Sequence, residues 1–78
     1  MPDLNVNSVS VYGIVQWFDS IRGIGFIKTE AGNMVFVNYT DLPIKNGNFI
    51  VLRPNQKVVF DISVGSRGPQ AKNIKIVN

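Results

Sequence analysis

Phe26 and Phe36 each sit inside a short run of strand-forming residues, Gly23-Ile24-Gly25-Phe26-Ile27 and Val35-Phe36-Val37-Asn38-Tyr39, with Trp17 upstream in a third. Side chains two apart on a strand share a face, so Phe26 goes with Ile24 and Phe36 with Asn38. Rings displayed on a sheet give unpaired bases a surface to stack on, each stacked base being worth roughly 1–3 kcal/mol. Cations beside such rings draw in the phosphate backbone. Arg22, Lys28, Arg67 and Lys72 are the candidates for that task, whereas Lys45, Lys57 and Lys75 read as ordinary solvated charges.

Ile27, Val35 and Val37 have the opposite parity to the two phenylalanines and suit a barrel interior. Parity alone leaves open which set faces out, because Phe is among the residues most often buried. Trp17 and Phe18 are adjacent and cannot share a face of a regular strand. Trp17 is assigned outward, since its indole also offers an N–H donor.

Turnover chemistry finds little support. The chain has no cysteine and no histidine, which removes the usual base-activated nucleophile and the commonest transition-metal ligands. Asp19, Glu30, Asp41 and Asp61 fall in separate turn or strand regions, and nothing pairs them for acid–base work. The glycines around Ile24 lack the spacing and following helix of a dinucleotide or phosphate loop. The expectation is a binding protein with no metal and no cofactor.

The elements that must position these side chains are short. Val9 to Phe18 reads as a first strand with apolar residues on both faces, which a bulge near Gly13 would accommodate. Asp19 to Gly23 is a turn, Gly25 to Thr29 a second strand, Gly32-Asn33 a hairpin turn and Met34 to Tyr39 a third strand. Thr40 to Pro43 has room for one helical turn. Asn46-Gly47-Asn48 and Arg53-Pro54-Asn55-Gln56 are further turns, around the poorly patterned stretch from Leu42 to Leu52. Lys57 to Val64 and Gln70 to Val77 alternate as strands, joined by the Gly65 to Pro69 loop. Five short strands and no helical period describe an all-β barrel or sandwich.

Length and composition agree. A chain of 78 residues, 45% hydrophobic and 17% charged, makes one small folded domain with a thin core. A loose lead-in is expected over residues 1–8 and the domain over 9–78. The net charge of +3 favours an anionic partner without demanding one. No leader, transit or membrane-spanning pattern is evident, so a cytoplasmic protein with no membrane partner is expected.

In this order and spacing, Gly13-Ile14-Val15-Gln16-Trp17-Phe18, Arg22-Gly23-Ile24-Gly25-Phe26-Ile27, Val35-Phe36-Val37-Asn38-Tyr39 and Gly65-Ser66-Arg67-Gly68-Pro69-Gln70-Ala71 resemble the bacterial-type cold-shock domain. The resemblance runs from Tyr12 to Val77. It implies a five-stranded antiparallel OB-fold barrel that binds single-stranded RNA and DNA. It also implies an RNA chaperone or cold-shock regulator of transcription and translation, with a mild pyrimidine preference. Trp17, Phe26, Phe36, Tyr39 and Phe49 match family positions whose rings stack on bases, and Arg22 and Arg67 match basic positions. The chain departs from the family at Ile24, usually aromatic, at Asn38, usually His, and at Gln16, usually Lys. The segment from Leu42 to Phe49 is also longer than in compact bacterial members.

These departures predict a weaker binder than a fully aromatic relative. Gln16, Ile24 and Asn38 remain in the expected site, contributing hydrogen bonds and apolar contact where a cation or ring would stand. Duplex should bind poorly, because its bases are already stacked. A monomer is the expected state, with strand exchange through the long segment before Phe49 as the other option. The alternative function is a small β-barrel protein-interaction module.

Overall fold

The strand that carries Phe26 shows how the fold works. Along Ile24–Thr29, Gly25, Ile27 and Thr29 are buried while Phe26 and Lys28 are exposed. Met34–Asn38 repeats the pattern, with Val35 and Val37 buried between Met34, Phe36 and Asn38. Each strand thus gives its aliphatic residues to an interior and its rings to an exterior.

The computed structural model describes residues 10–65 and 68–77. The expected lead-in over residues 1–8, and Arg67, lie outside that range. The elements are β1 (Ser10–Asp19), β2 (Ile24–Thr29), β3 (Met34–Asn38), β4 (Ile44–Lys45), β5 (Asn48–Phe49), β6 (Lys57–Gly65) and β7 (Gly68–Ile76), with one 3-10 turn at Tyr39–Asp41. A closed barrel forms in the order β1-β2-β3-β7-β6, and β4-β5 is a separate small hairpin. No helix among the described residues is long and apolar enough to cross a membrane.

The architecture is the all-β OB-type barrel, with one correction to the antiparallel expectation. β3 and β7 run parallel, meeting at Phe36 and Gln70, while β1-β2, β1-β6, β2-β3 and β6-β7 are antiparallel. The reason is arithmetic. Directions can alternate all the way round a ring only when its strand number is even, so a closed ring of five must contain a parallel neighbour pair.

The interior holds Val15, Ile27, Val35, Val37, Val58, Phe60, Ala71 and Ile74, with Leu42 and Leu52 also buried in the same cluster. Phe60 is the largest of the fully buried side chains. Burial of each Val, Ile, Leu or Phe contributes about 1.5–3 kcal/mol.

Several turns follow directly from their residues. Asn46 and Gly47 both have positive φ, 54° and 80°, as a two-residue type I′ hairpin loop requires. At Pro54-Asn55 the Gln56 N–H donates to the Arg53 carbonyl, and Asn55 has a φ of 71°, which makes a type II turn. The third strand stops one residue before the sequence suggests. Asn38 Oδ1 accepts hydrogen bonds from the Thr40 N–H at 3.2 Å and the Thr40 hydroxyl at 3.3 Å, so it caps the 3-10 turn that begins at Tyr39.

The irregularity in β1 lies at Gln16 rather than near Gly13. Val15 pairs with Ile27 and Trp17 with Phe26, leaving Gln16 as the extra residue, whereas Gly13 stays in register with Thr29 and Val58. The bulge sits where the inward and outward patterns collide: Val15 must face in and Trp17 out, whereas on a regular strand residues two apart would share a face. Gln16 is polar and exposed, and its Nε2 donates to the Ile14 carbonyl at 3.2 Å. Opposite, Gly25 lets β2 approach closely. A Cβ there would lie 2.4 Å from the Trp17 carbonyl oxygen and 2.7 Å from Phe18 Cδ1.

Two stability tests follow. Phe60→Ala should lower the unfolding free energy by about 3–5 kcal/mol, a large share of the roughly 5–15 kcal/mol of a small domain, read as a urea midpoint shift. Gly25→Ala should destabilise by about 1–3 kcal/mol and change the Trp17 emission spectrum of the folded protein. Wild-type stability in either variant would contradict this packing.

Candidate nucleic-acid interface

Antiparallel register sets Trp17, Phe26 and Phe36 side by side across β1, β2 and β3. The Trp17 and Phe26 rings lie 6.3 Å apart, centroid to centroid, with planes 27° from parallel. Phe26 and Phe36 meet edge to face at 5.9 Å and 69°. Both distances fall in the attractive range for aromatic pairs. Trp17 is 45% exposed and Phe26 38%, while Phe36 is half-buried. The row is a continuous apolar strip on the outside of the barrel.

One step towards the Asp19 end of β1, Ile24 pairs with Asn38, and both are half-buried. Half of the Asn38 amide is committed, since its oxygen caps the 3-10 turn while Nδ2 has no partner among the described residues. Tyr39 follows at the rim, exposed, with its N–H donating to the Gly23 carbonyl at 2.7 Å. Gly23 has a φ of 72°, and a Cβ there would lie 2.6 Å from the Tyr39 ring, so glycine holds the ring against the Asp19–Gly23 turn. That turn is tied by Asp19, whose carbonyl accepts from Gly23 N–H and whose Oδ1 accepts from the Ile21 and Arg22 N–H groups.

The cations are less uniform than the rings. Lys28 is exposed on the outer face of β2, two residues beyond Phe26 and opposite Met34. Arg22 extends into solvent, with Nε 3.8 Å from Asp19 Oδ2, a surface pair worth little. Lys72 is held differently. Its Nζ donates to Asp41 Oδ1 at 3.0 Å, and Gln70 Nε2 donates to Asp41 Oδ2 at 2.9 Å. The Asp41 side chain is 6% exposed, so this group ties the 3-10 turn to β7 and largely neutralises Lys72.

Of the remaining sequence-derived site residues, Gln16 lies beside Trp17 at the bulge. Phe49 pairs with Ile44 through the backbone, and its side chain lies outside the described residues, as does Arg67. Two further residues, absent from the sequence-derived candidates, neighbour the row. Met34 is exposed on the face of Phe36, and strand parity alone would have found it. Gln70 lies beside Phe36 across the parallel junction, which no local pattern announces.

Residues 11–77 match the family model of the 'Cold-shock' DNA-binding domain. The chain is 47% identical to a major cold shock protein of Streptococcus pyogenes over 62 residues, which is 80% of this chain and 90% of that protein. It is 44% identical over 66 residues to a cold shock-like protein, CspE, of Bacillus anthracis, covering 85% of this chain and 96% of that one. The major cold shock protein CspA of Bacillus cereus matches at the same identity and coverage. A closed five-stranded barrel with an outward aromatic row, matched over nearly its whole length, places this chain in the 'Cold-shock' DNA-binding domain family, whose members bind nucleic acid and are not enzymes.

Proposed function

We propose that this protein binds single-stranded RNA and DNA by stacking unpaired bases on Trp17, Phe26 and Phe36, and acts as a cytoplasmic RNA chaperone in the cold. The observation that carries this reading is the contiguous strip of outward rings spanning three strands. Apolar rings left in water are unfavourable, and a base covers them without requiring any particular sequence. Tyr39 and Phe49 extend the stacking surface, while Ile24 adds apolar contact and Asn38 Nδ2 a hydrogen bond to a base edge. Arg22, Lys28 and Arg67 attract the backbone, Gln16 offers an amide to it, and Lys72 contributes least because Asp41 already holds it.

Chaperone action follows from selective binding. A ligand that takes only unpaired bases shifts a hairpin towards its open form by mass action. Because each stacking contact is modest, the RNA is released again rather than trapped. A duplex offers no free base faces, so its binding is weak and mostly electrostatic. The closed barrel leaves few strand edges for self-association, consistent with a monomer.

Trp17 fluorescence should quench when an unstructured pyrimidine-rich oligonucleotide is added at low salt. No change, with the protein folded, would favour the protein-interaction alternative. Trp17→Ala, Phe26→Ala and Phe36→Ala should each weaken binding by about 1–3 kcal/mol while far-UV circular dichroism stays unchanged. The departures from the family make gain-of-function tests that misfolding cannot mimic. Ile24→Phe should tighten binding by about one stacking contact, roughly 1–3 kcal/mol. Gln16→Lys should steepen the slope of log affinity against log salt by about 0.7. Unchanged affinity in Ile24→Phe would contradict the placement of that residue beside a base.

A further inference from the structure

The outer face of β1 does not end at Trp17. Beyond the Gln16 bulge the outward positions are Ile14 and Tyr12, and Tyr12 is 52% exposed. Lys28 on β2 and Lys57 on β6 flank Ile14 from opposite sides in register. Tyr12 pairs with Val59 on β6, and Val59 pairs with Lys75 on β7. Tyr12, Ile14, Lys28 and Lys57 line a shallow cleft of about 320 Å³ together with Val77 and one acid, Glu30, and Lys75 lies outside that lining.

Two properties separate this region from ordinary solvated surface. The side chains of Lys28, Lys57 and Lys75 form no ion pair or hydrogen bond among the described residues, unlike Arg22 and Lys72, which each face an aspartate. Two cations without an ion pair, Lys28 and Lys57, therefore flank an exposed ring and an apolar floor, and Lys75 stands one strand further on. The region is also continuous with the aromatic row, since Lys28 lies two residues from Phe26 on the same face. Tyr12 stands about 13 Å from Trp17 along the strand, taking about 3.3 Å per residue and allowing one residue for the bulge.

We propose that this cleft is a further nucleotide subsite, which extends the path of a single strand already lying on Trp17. The added base rests against Tyr12 and Ile14, and its phosphate is met by Lys28 and Lys57, with Lys75 at the margin. This inference rests on the single-strand reading of the aromatic row. A cationic groove with interleaved aromatics is the arrangement that tracks a phosphate backbone while stacking its bases. Glu30 at one edge confines the anion to the Lys28–Lys57 side.

The test uses the full chain and fluorescently labelled oligothymidylates. The shortest is one that saturates Trp17 quenching, and longer ones are extended stepwise at the 5′ or the 3′ end. Extension at one end should raise wild-type affinity at least about fivefold. Tyr12→Leu and Tyr12→Ala should remove that gain and leave affinity for the short oligonucleotide unchanged, while Tyr12→Phe should retain it. Lys57→Gln should reduce the salt slope by about 0.7 for the extended oligonucleotide only. The subsite is overturned if the short oligonucleotide binds but extension adds nothing, or if the gain survives in Tyr12→Leu. Failure of the short oligonucleotide to bind folded wild-type protein would instead remove the single-strand reading itself, and this inference with it.

Discussion

Ile27, Val35 and Val37 are almost completely excluded from solvent, and their place in the barrel interior decides where the rings go. On a pleated strand the residues on either side of a buried one must face the other way. Phe26 and Phe36 are turned outward because their neighbours fill the core, and the register of β2 with β3 then brings them together. Trp17 joins them only because the Gln16 bulge absorbs a mismatch in β1. One packing constraint thus produces both an aliphatic interior and an exterior row of rings. Strand register ties the two together, since a one-residue slip would bury the rings and expose the aliphatics.

An exposed strip of this kind is a compromise between folding and binding. Each ring left in water forgoes stabilisation that burial would bring. The loss is limited by the mutual packing of Trp17, Phe26 and Phe36, which cover one another at 6.3 and 5.9 Å. That packing also fixes the rings relative to one another, which would reduce the entropy lost in the proposed stacking. The anchoring of Tyr39 on Gly23, and the capping of the 3-10 turn by Asn38, fix the rim of the platform in the same manner.

The division between what the sequence shows and what it hides follows contact distance along the chain. The parity of β2 and β3, the Asn46-Gly47 loop and the Pro54-Asn55 turn rest on neighbouring residues, so the pattern is readable directly. The parallel meeting of Phe36 with Gln70 depends on closing a ring of five strands, and no local signal carries it. Glycine is the usual local sign of irregularity, so the sequence points to a bulge near Gly13; the conflict between Val15 and Trp17 places it at Gln16. Lys72 resembles a free cation in sequence, and its capture by Asp41 spans 31 positions. The same range of contact brings Lys57 and Lys75, unremarkable in their own strands, to the face that carries Tyr12.

If unpaired bases settle on the outward rings, the core should be left untouched. Aromatic resonances of the folded protein, followed by NMR as an unstructured oligonucleotide is added, report this directly. Ring-current shifts are expected at Trp17, Phe26 and Phe36, with Phe60 in the interior unchanged. Saturable binding with those three resonances unmoved would contradict it.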